Sequence, residues 1–295
     1  MKKRITVTIG VVLALVSVAC GRDDNASSST RETVGTTPHR IVSLSPTATE
    51  MLFAVGAGSQ VVAVDDQSNF PASAPHTKLS SYEPNVEAIS AYKPDLVIIS
   101  GDSKDLAAQL KALSIAVLVS PAAATLADTY REINELGART GRTKKASDVV
   151  ATMKRRMTKL MKEVPKRSVP LTYFHELDNT LFSVTSKTFI GDLYARAGLK
   201  NIADAADANG SSGGYPQITS EFIVKADPDL VFLADTKCCA QDATTFGARP
   251  GFAALKAVRE KHVVTLDDDV ASRWGPRVVD FFARIVAELK SIPQT

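Results

Sequence analysis

Near the carboxyl end of the chain, one short segment combines acidic, basic and aromatic side chains in the manner of a ligand-binding loop. It begins at Asp267, contains Arg273 and Trp274, and ends at Arg277, between a predicted strand and the last predicted helix. An arginine binds anionic oxygens in a bidentate manner, and this tryptophan, the only one in the chain, offers a stacking surface. Parallel α/β sheets bind ligands at the carboxyl ends of their strands. We therefore expect Arg273 and Trp274 to contact a ligand; the alternative is an ordinary capped loop.

Two of the three cysteines are neighbours, Cys238 and Cys239. Two free thiols would be unusual in an oxidising compartment. The pair could form a vicinal disulfide, contact a soft metal or be an inert part of a loop, and the sequence does not choose between these.

Catalytic motifs are nearly absent. Residues 210–214 (GSSGG) match the nucleophile pattern G-x-S-x-G, but a polar segment precedes them where that motif needs a strand. His175 lies on a predicted strand beside Glu176 and Asp178, and could face a cleft. We expect no enzyme activity, no resident cofactor and no metal ion bound directly by protein side chains. The alternatives are an exported enzyme that uses these three residues or the Cys238–Cys239 pair, and a carrier of free manganese or zinc ions.

The N-terminus has the pattern of a bacterial export signal. Residues 2–4 are basic, residues 5–18 are apolar but too few to span a membrane comfortably, and small residues precede Cys20. This resembles a lipobox, in which the cysteine is lipid-modified, although Ser17 stands where an aliphatic residue is usual. Residues 21–38 are polar and predict a flexible tether. We expect a lipid-anchored protein on the extracytoplasmic side of the membrane.

Composition indicates a globular protein without affinity for nucleic acid. Of the 295 residues, 44% are hydrophobic and 23% charged. The 35 Lys and Arg exceed the 32 Asp and Glu by three, and residues 2–4 supply three of the basic side chains. The exported chain is therefore nearly neutral and offers no electrostatic reason to bind a polyanion.

One stretch occurs twice and indicates two lobes of similar build. Residues 85–99 (NVEAISAYKPDLVII) and 219–233 (TSEFIVKADPDLVFL) align without a gap and share six residues, among them Glu87 and Glu221. Each copy predicts a short capped helix, a proline stop and a buried strand. Coincidence is the alternative, since this pattern is common in α/β proteins.

Strands and helices alternate along the rest of the chain, which predicts an α/β fold with parallel sheets. Apolar residues at spacings of three and four predict an amphipathic helix over residues 143–164, either peripheral or a strut between lobes. Its position between the two repeats favours the strut. Predicted strands in the second half lie at 171–176, 181–184, 229–234 and 262–266, and the loops 203–216 and 236–250 are long.

The chain resembles the class III solute-binding proteins of ABC importers, which carry ferric siderophores, haem or cobalamin. The resemblance rests on residues 40–50 (RIVSLSPTATE), residues 94–97 (PDLV) and the tail from Arg273 to Arg277, and covers residues 40–290. It implies two Rossmann-like lobes joined by a single long helix, with the ligand held between them. The implied divisions are a lipoprotein signal peptide at 1–20, the tether at 21–38, an N-terminal lobe at 39–142, the linking helix at 143–164 and a C-terminal lobe at 165–295.

The resemblance also assigns roles to individual residues. Glu87 and Glu221, one on each lobe, would dock onto arginines of the membrane permease. Ser100 stands where cobalamin binders can carry tryptophan, so the cleft is expected to be less aromatic. By similarity to cobalamin binders, Tyr82, Phe182 and Tyr215 match residues of the aromatic walls, and Arg273 matches an arginine of the cleft. The complete set of predicted ligand contacts is Phe70, Tyr82, Ser100, Glu176, Phe182, Tyr215, Arg273 and Trp274.

These observations predict a monomeric, lipid-anchored substrate-binding protein. It would capture a metal chelate, either a ferric siderophore, cobalamin or haem, and deliver it to an ABC permease. An arginine-bearing, partly aromatic cleft suits a chelate with oxygen-rich or propionate edges.

Overall fold

Two parallel four-stranded sheets form the framework of the chain, which the computed structural model describes over residues 37–293. The predicted signal peptide and Cys20 lie outside the described residues. The first sheet consists of β1 (Ile41–Leu44), β2 (Val61–Val64), β3 (Leu96–Ile99) and β4 (Ala116–Val119), in the order β2-β1-β3-β4. The second consists of β5 (Thr172–Glu176), β6 (Lys200–Asn201), β7 (Leu230–Leu233) and β8 (Val263–Thr265), in the matching order β6-β5-β7-β8.

Helices connect successive strands and cover both faces of each sheet, as the α/β expectation requires. We call the first sheet with the helices up to residue 139 the first lobe, and the second sheet with the helices from residue 189 onward the second lobe. No helix within residues 37–293 is both long enough and apolar enough to cross a bilayer. The helices are α1 (Pro46–Ala54), α2 (Val86–Ser90), α3 (Leu106–Ala112), α4 (Leu126–Arg139), α5 (Thr143–Glu163), α6 (Phe189–Arg196), α7 (Ser220–Ala226), α8 (Ala243–Gly247), α9 (Lys256–Arg259), α10 (Asp268–Ser272) and α11 (Val278–Ser291).

The predicted linking helix is present as α5. Its apolar face buries Val150, Met153 and Met157 against α4 and α11. A glycine allows the close approach of α4, because a Cβ at Gly137 would lie 2.3 Å from the Cβ of Ala146. The same face belongs to a hydrophobic cluster that runs from the first lobe through α5 into the second lobe. Burial of apolar surface therefore holds the lobes to the helix that joins them.

The repeated stretch occupies equivalent places in the two lobes. It forms α2 with β3 and α7 with β7, and each of these strands is third in the order of its sheet. The aspartate after each proline plays the same role in both copies. Asp95 accepts hydrogen bonds from the backbone N–H groups of His39 (2.7 Å) and Arg40 (3.0 Å), and Asp229 accepts one from that of Thr172 (2.8 Å). Each therefore ties its strand to the residues at or just before the start of the first strand in its lobe.

Two local expectations were wrong. The segment 181–184 is not a strand of the sheet, because β6 occupies the edge position beside β5, and only Phe182 forms an isolated bridge, to Gln217. The predicted loop 236–250 contains the short helix α8, whose N-cap Asp242 forms a reciprocal capping box with Thr245.

Candidate functional site

A cavity of about 650 Å³ lies between the lobes at the carboxyl ends of the strands. The first lobe contributes the ends of β1 and β3 and the turns after them, and the second contributes α10 and the residues after it. The lining residues are Leu44, Ser45, Pro46, Thr47, Gln67, Ser81, Tyr82, Ile99, Ser100, Gly101, Asp102, Ser103, Leu106, Asp268, Asp269, Ser272, Arg273 and Trp274.

The first-lobe wall is built from two capped helix starts and an exposed aromatic ring. Ser45 caps α1 by accepting from the N–H of Ala48 at 3.3 Å, and Asp102 accepts from the N–H of Ala107 at 2.8 Å. Tyr82 is 78% exposed although it lines the cavity. A large ring that finds no cover within its own fold is available to a ligand. Of the predicted ligand contacts on this lobe, Tyr82 and Ser100 line the cavity.

The second-lobe wall is held by Arg273, which reaches across to the first lobe. Its guanidinium donates to Glu50 Oε1 (2.8 Å), Asn69 Oδ1 (3.0 Å), the carbonyl of Gln67 (2.9 Å) and Asp269 Oδ1 (2.7 Å). The residue predicted to bind ligand oxygens thus lines the cavity while its donors bind protein groups.

A second arginine binds the same carboxylate. Arg277 donates through Nε to Glu50 Oε2 at 2.9 Å and through Nη2 to Glu50 Oε1. The side chain of Glu50 is 1% exposed. We call Glu50, Arg273 and Arg277 the interlobe clamp. Hydrogen bonding to Glu50 raises the pKa of Arg277 further above its ordinary value.

Trp274 makes a further contact between the lobes. Its indole Nε1–H donates to Glu132 Oε2 at 3.0 Å, and Ser120 Oγ donates to the same oxygen at 3.2 Å. Burial raises the pKa of Glu132, although these two hydrogen bonds act in the opposite direction. The ring of Trp274 lines the cavity while its polar edge is fixed, so the predicted stacking residue has a defined orientation.

Three predicted aromatic contacts lie outside this cavity. Phe70 borders a neighbouring pocket of about 360 Å³, where the guanidinium of Arg277 lies 4.1 Å from its ring centroid. Phe182 and Tyr215 are 37% and 46% exposed on the second lobe. Their part in ligand binding stays a prediction.

Glu176 is fully buried and is placed in a charge cluster instead of the cavity. It accepts from Arg249 Nη2 (2.6 Å) and Nη1 (2.7 Å), a bidentate pair. The buried carboxyl of Asp235 has no donor among the described residues. Burial, with the Glu176 carboxylate as the next cause, raises the pKa of Asp235 to about 7. A substantial fraction of the Asp235 side chains is therefore protonated at neutral pH.

His175 also belongs to the core. It is completely buried, its Nδ1 lies 2.8 Å from the Tyr194 hydroxyl, and burial lowers its pKa to about 3.

Cys238 and Cys239 form a vicinal disulfide, the first of the three states the sequence left open.

Two important acidic residues were not found from the sequence. Glu132 lies on the buried face of α4 with Thr129, Ile133 and Leu136. The signal available in the sequence was an acidic residue at a position where the helical spacing of apolar residues predicts burial. Glu50 had none, since its partners lie 223 and 227 residues away.

Comparison with known proteins identifies the family. The sequence pattern of the family described as "Periplasmic binding protein" matches residues 41–270. The chain belongs to this family. It is 28% identical to the uncharacterized ABC transporter substrate-binding lipoprotein YvrC of Bacillus subtilis, with 95% of each chain covered. The crystal structure of the periplasmic vitamin B12 binding protein BtuF of Vibrio cholerae is 25% identical, with a TM-score of 0.70, covering 86% of this chain and 98% of the other.

A third similarity concerns the fold alone. The periplasmic heme-binding protein RhuT from Roseiflexus has a TM-score of 0.75 at 20% identity, covering 86% of this chain and 98% of that one. The resemblance to the solute-binding proteins of ABC importers and the two-lobed α/β fold are thus confirmed. The relatives are binding proteins, not enzymes, which fits the absence of a catalytic constellation in the sequence.

Proposed function

We propose that the chain is a lipid-anchored, extracytoplasmic substrate-binding protein that captures a metal chelate between its lobes and delivers it to an ABC permease. The chelate is of the cobalamin, haem or ferric siderophore type. The cavity between the lobes carries the proposal. Its volume of about 650 Å³ falls within the roughly 300–1,000 Å³ typical of small-molecule sites, and it combines aromatic with polar groups. The B12-binding protein among the similar structures supports the same ligand class.

The test uses the single tryptophan as a reporter. Protein lacking residues 1–20 is titrated with cyanocobalamin, haemin and a ferric hydroxamate siderophore, and manganese and zinc ions serve as the comparison. Because Trp274 lines the cavity, we expect saturable quenching by one class of chelate and none by the free ions. Free tryptophan in the same solutions corrects for absorption by the chelates. Failure of all three chelates to bind would overturn the proposal.

Docking to the permease would use Glu87 and Glu221. Each is exposed in the first turn of its helix, α2 or α7, whose N-cap is satisfied by Asn85 (2.8 Å) or Thr219 (3.1 Å). A helix that leads into a parallel strand begins at the carboxyl-end edge of the sheet. The two carboxylates thus occupy equivalent positions in the two lobes, which supports their use as paired docking points.

Cells that depend on this uptake system distinguish docking from ligand binding. The Glu87→Ala/Glu221→Ala double variant should bind the chelate normally and fail to transport it. Glu260→Ala is the matched control, because this exposed glutamate follows α9 at the opposite edge of the second sheet and should leave both properties unchanged. A loss of affinity in the double variant would place these residues in the ligand site.

The anchor is tested separately. Cys20→Ser should abolish labelling by a radioactive fatty acid and move the protein from the membrane fraction to the extracellular or periplasmic fraction. Unchanged membrane association of that variant would contradict lipid anchoring through Cys20.

A further inference from the structure

The solvent-facing side of α5 has no role in the function proposed above, and it is strongly basic. The helix contains seven Lys or Arg residues and two acidic residues. When these nine and the three basic residues at 2–4 are set aside, the 35 basic and 32 acidic side chains of the chain fall to 25 and 30. The near-neutral exported chain is therefore a cationic helix on an otherwise acidic protein.

Four of these cations surround a groove of about 390 Å³ on the C-terminal half of α5. Its lining residues are Lys154, Arg155, Thr158, Lys159 and Lys162, all of them exposed. We call the four cations the basic face of α5. None of them forms an ion pair with a carboxylate of residues 37–293. The positive charge of the groove is thus uncompensated, which favours the binding of phosphate oxygens.

Other charged groups on the same helix do have partners. Arg156 pairs with Asp280 on α11 at 2.7 Å, and the carboxylate of Glu163 accepts from Lys290, also on α11, at 2.6 Å. The acidic side chains nearest to the groove are therefore neutralised by other cations. The basic face is left to attract an anionic partner from outside the protein.

Exposed apolar side chains lie beside the groove. Met161 is 43% exposed and follows Thr158 by three positions, so it occupies the next turn of the same helix surface. Val169, beyond the end of α5, is 73% exposed. The stems of lysine and arginine are also apolar and can lie along a lipid surface while their charges reach the headgroups. Cationic helices with an apolar margin are typical of helices that lie on anionic membranes.

The polypeptide that leads to the predicted lipid anchor joins the fold at the start of this helix. Thr37, the first described residue, lies against Gly141 in the turn before α5, where a Cβ on the glycine would be 3.4 Å from the Thr37 side chain. The 17 peptide units from Cys20 to Thr37 span at most about 60 Å, and α5 is about 32 Å long. All of α5 is therefore within reach of a bilayer that holds Cys20.

We propose that the basic face of α5 docks on the anionic phospholipid headgroups of the membrane to which the protein is anchored. The inference rests on the lipid anchor of the proposed function and adds a second, electrostatic contact with the same membrane. Each Lys or Arg close to an anionic surface strengthens binding roughly 5-fold, and the anchor keeps the helix near the bilayer. The contact uses none of the residues that line the cavity.

Vesicle flotation tests the contact independently of the anchor. The chain from residue 21 onward, which retains every described element, is mixed with vesicles of phosphatidylcholine, either alone or with about one third phosphatidylglycerol. We expect binding to the anionic vesicles at least about 10-fold stronger than to the neutral ones, and a loss of about 10- to 25-fold in the Lys159→Gln/Lys162→Gln variant. Glutamine keeps the length of the stem and the helix propensity.

Lys111→Gln/Lys200→Gln is the matched control, because these exposed lysines lie on α3 and β6 and should leave vesicle binding unchanged. Equal binding of wild type to both kinds of vesicle, or equal binding by wild type and the basic-face variant, would overturn the inference and leave the proposed function intact. Absence of fatty-acid labelling at Cys20 would overturn the anchor, which this measurement does not use.

Lysine footprinting tests the contact in the full-length, anchored protein. Acetylation of individual lysines is measured by mass spectrometry in native membranes and after solubilisation in detergent. Lys159 and Lys162 should react at least about 5-fold more slowly in the membrane, whereas Lys111 and Lys200 should react at equal rates in both. Equal rates at Lys159 and Lys162 would refute docking, as would the same protection of the solubilised protein by inorganic phosphate, which would indicate a site for a soluble anion.

Discussion

Replacement of Glu50 by glutamine tests whether the interlobe clamp holds the two lobes together. The substitution keeps the size of the side chain but removes its charge, so Arg277 loses its anionic partner and Arg273 retains only Asp269. Removal of one partner from a buried ion pair costs about 3–5 kcal/mol, because the remaining charge stays desolvated. Since Asp269 still compensates Arg273, we expect a loss of about 3 kcal/mol.

The assay is urea unfolding followed by circular dichroism, with thermal unfolding beside it. For a chain of this size, the expected loss corresponds to a melting temperature lower by roughly 6–12 °C. The same variant should change the small-angle scattering profile if the clamp sets the separation of the lobes.

Arg156→Gln is the matched control. Arg156 on α5 and Asp280 on α11 form an ion pair at 2.7 Å, but their side chains are 51% and 50% exposed. Such a pair contributes less than about 1 kcal/mol. If Glu50→Gln and Arg156→Gln destabilise the protein equally, burial does not give the clamp its strength and the reasoning fails.

Three further substitutions test the buried acid pair and the packing of α4. The pKa of Asp235, about 7 against an ordinary 3.8, means that its contribution to stability is complete below pH 4 and declines as the pH rises to 7. Asp235→Asn should flatten that dependence and stabilise the protein at pH 8 by up to about 4 kcal/mol in urea unfolding. Parallel pH profiles of variant and wild type would argue against a raised pKa of Asp235. Gly137→Ala should cost about 1–3 kcal/mol by thermal unfolding, because the new Cβ overlaps Ala146, and an unaltered melting temperature would mean that α4 can shift freely. Thr125→Ala should cost about 1 kcal/mol in the same assay by removing the N-cap of α4, whereas no loss would show that the capping box contributes nothing.

The features that the sequence predicts correctly are those determined by residues close together in the chain. Helix α5 follows from local chemistry, because its apolar spacing of three and four extends over about six turns. The repeated stretch was equally accessible, because each copy contains its own cap, proline stop and apolar strand.

The contacts that shape the site depend on distant residues. Glu50 and Arg277 are 227 positions apart, and no periodicity connects them. Glu176 was predicted as a ligand contact, but Arg249, on a segment 73 residues away, binds it in the interior. The apolar run 181–184 has strand composition, yet whether it joins the sheet depends on β6, which takes the edge position.

The continuity of α5 limits how the protein can signal that it is loaded. Its 21 residues contain neither glycine nor proline, the usual causes of a sharp helix kink. We therefore expect ligand entry to require slight bending of α5 and release of the interlobe clamp, and not rotation of the lobes about a flexible hinge. A permease that binds this protein would have to distinguish its ligand-bound state from its empty state by a small change in the distance between two contact points, one on each lobe.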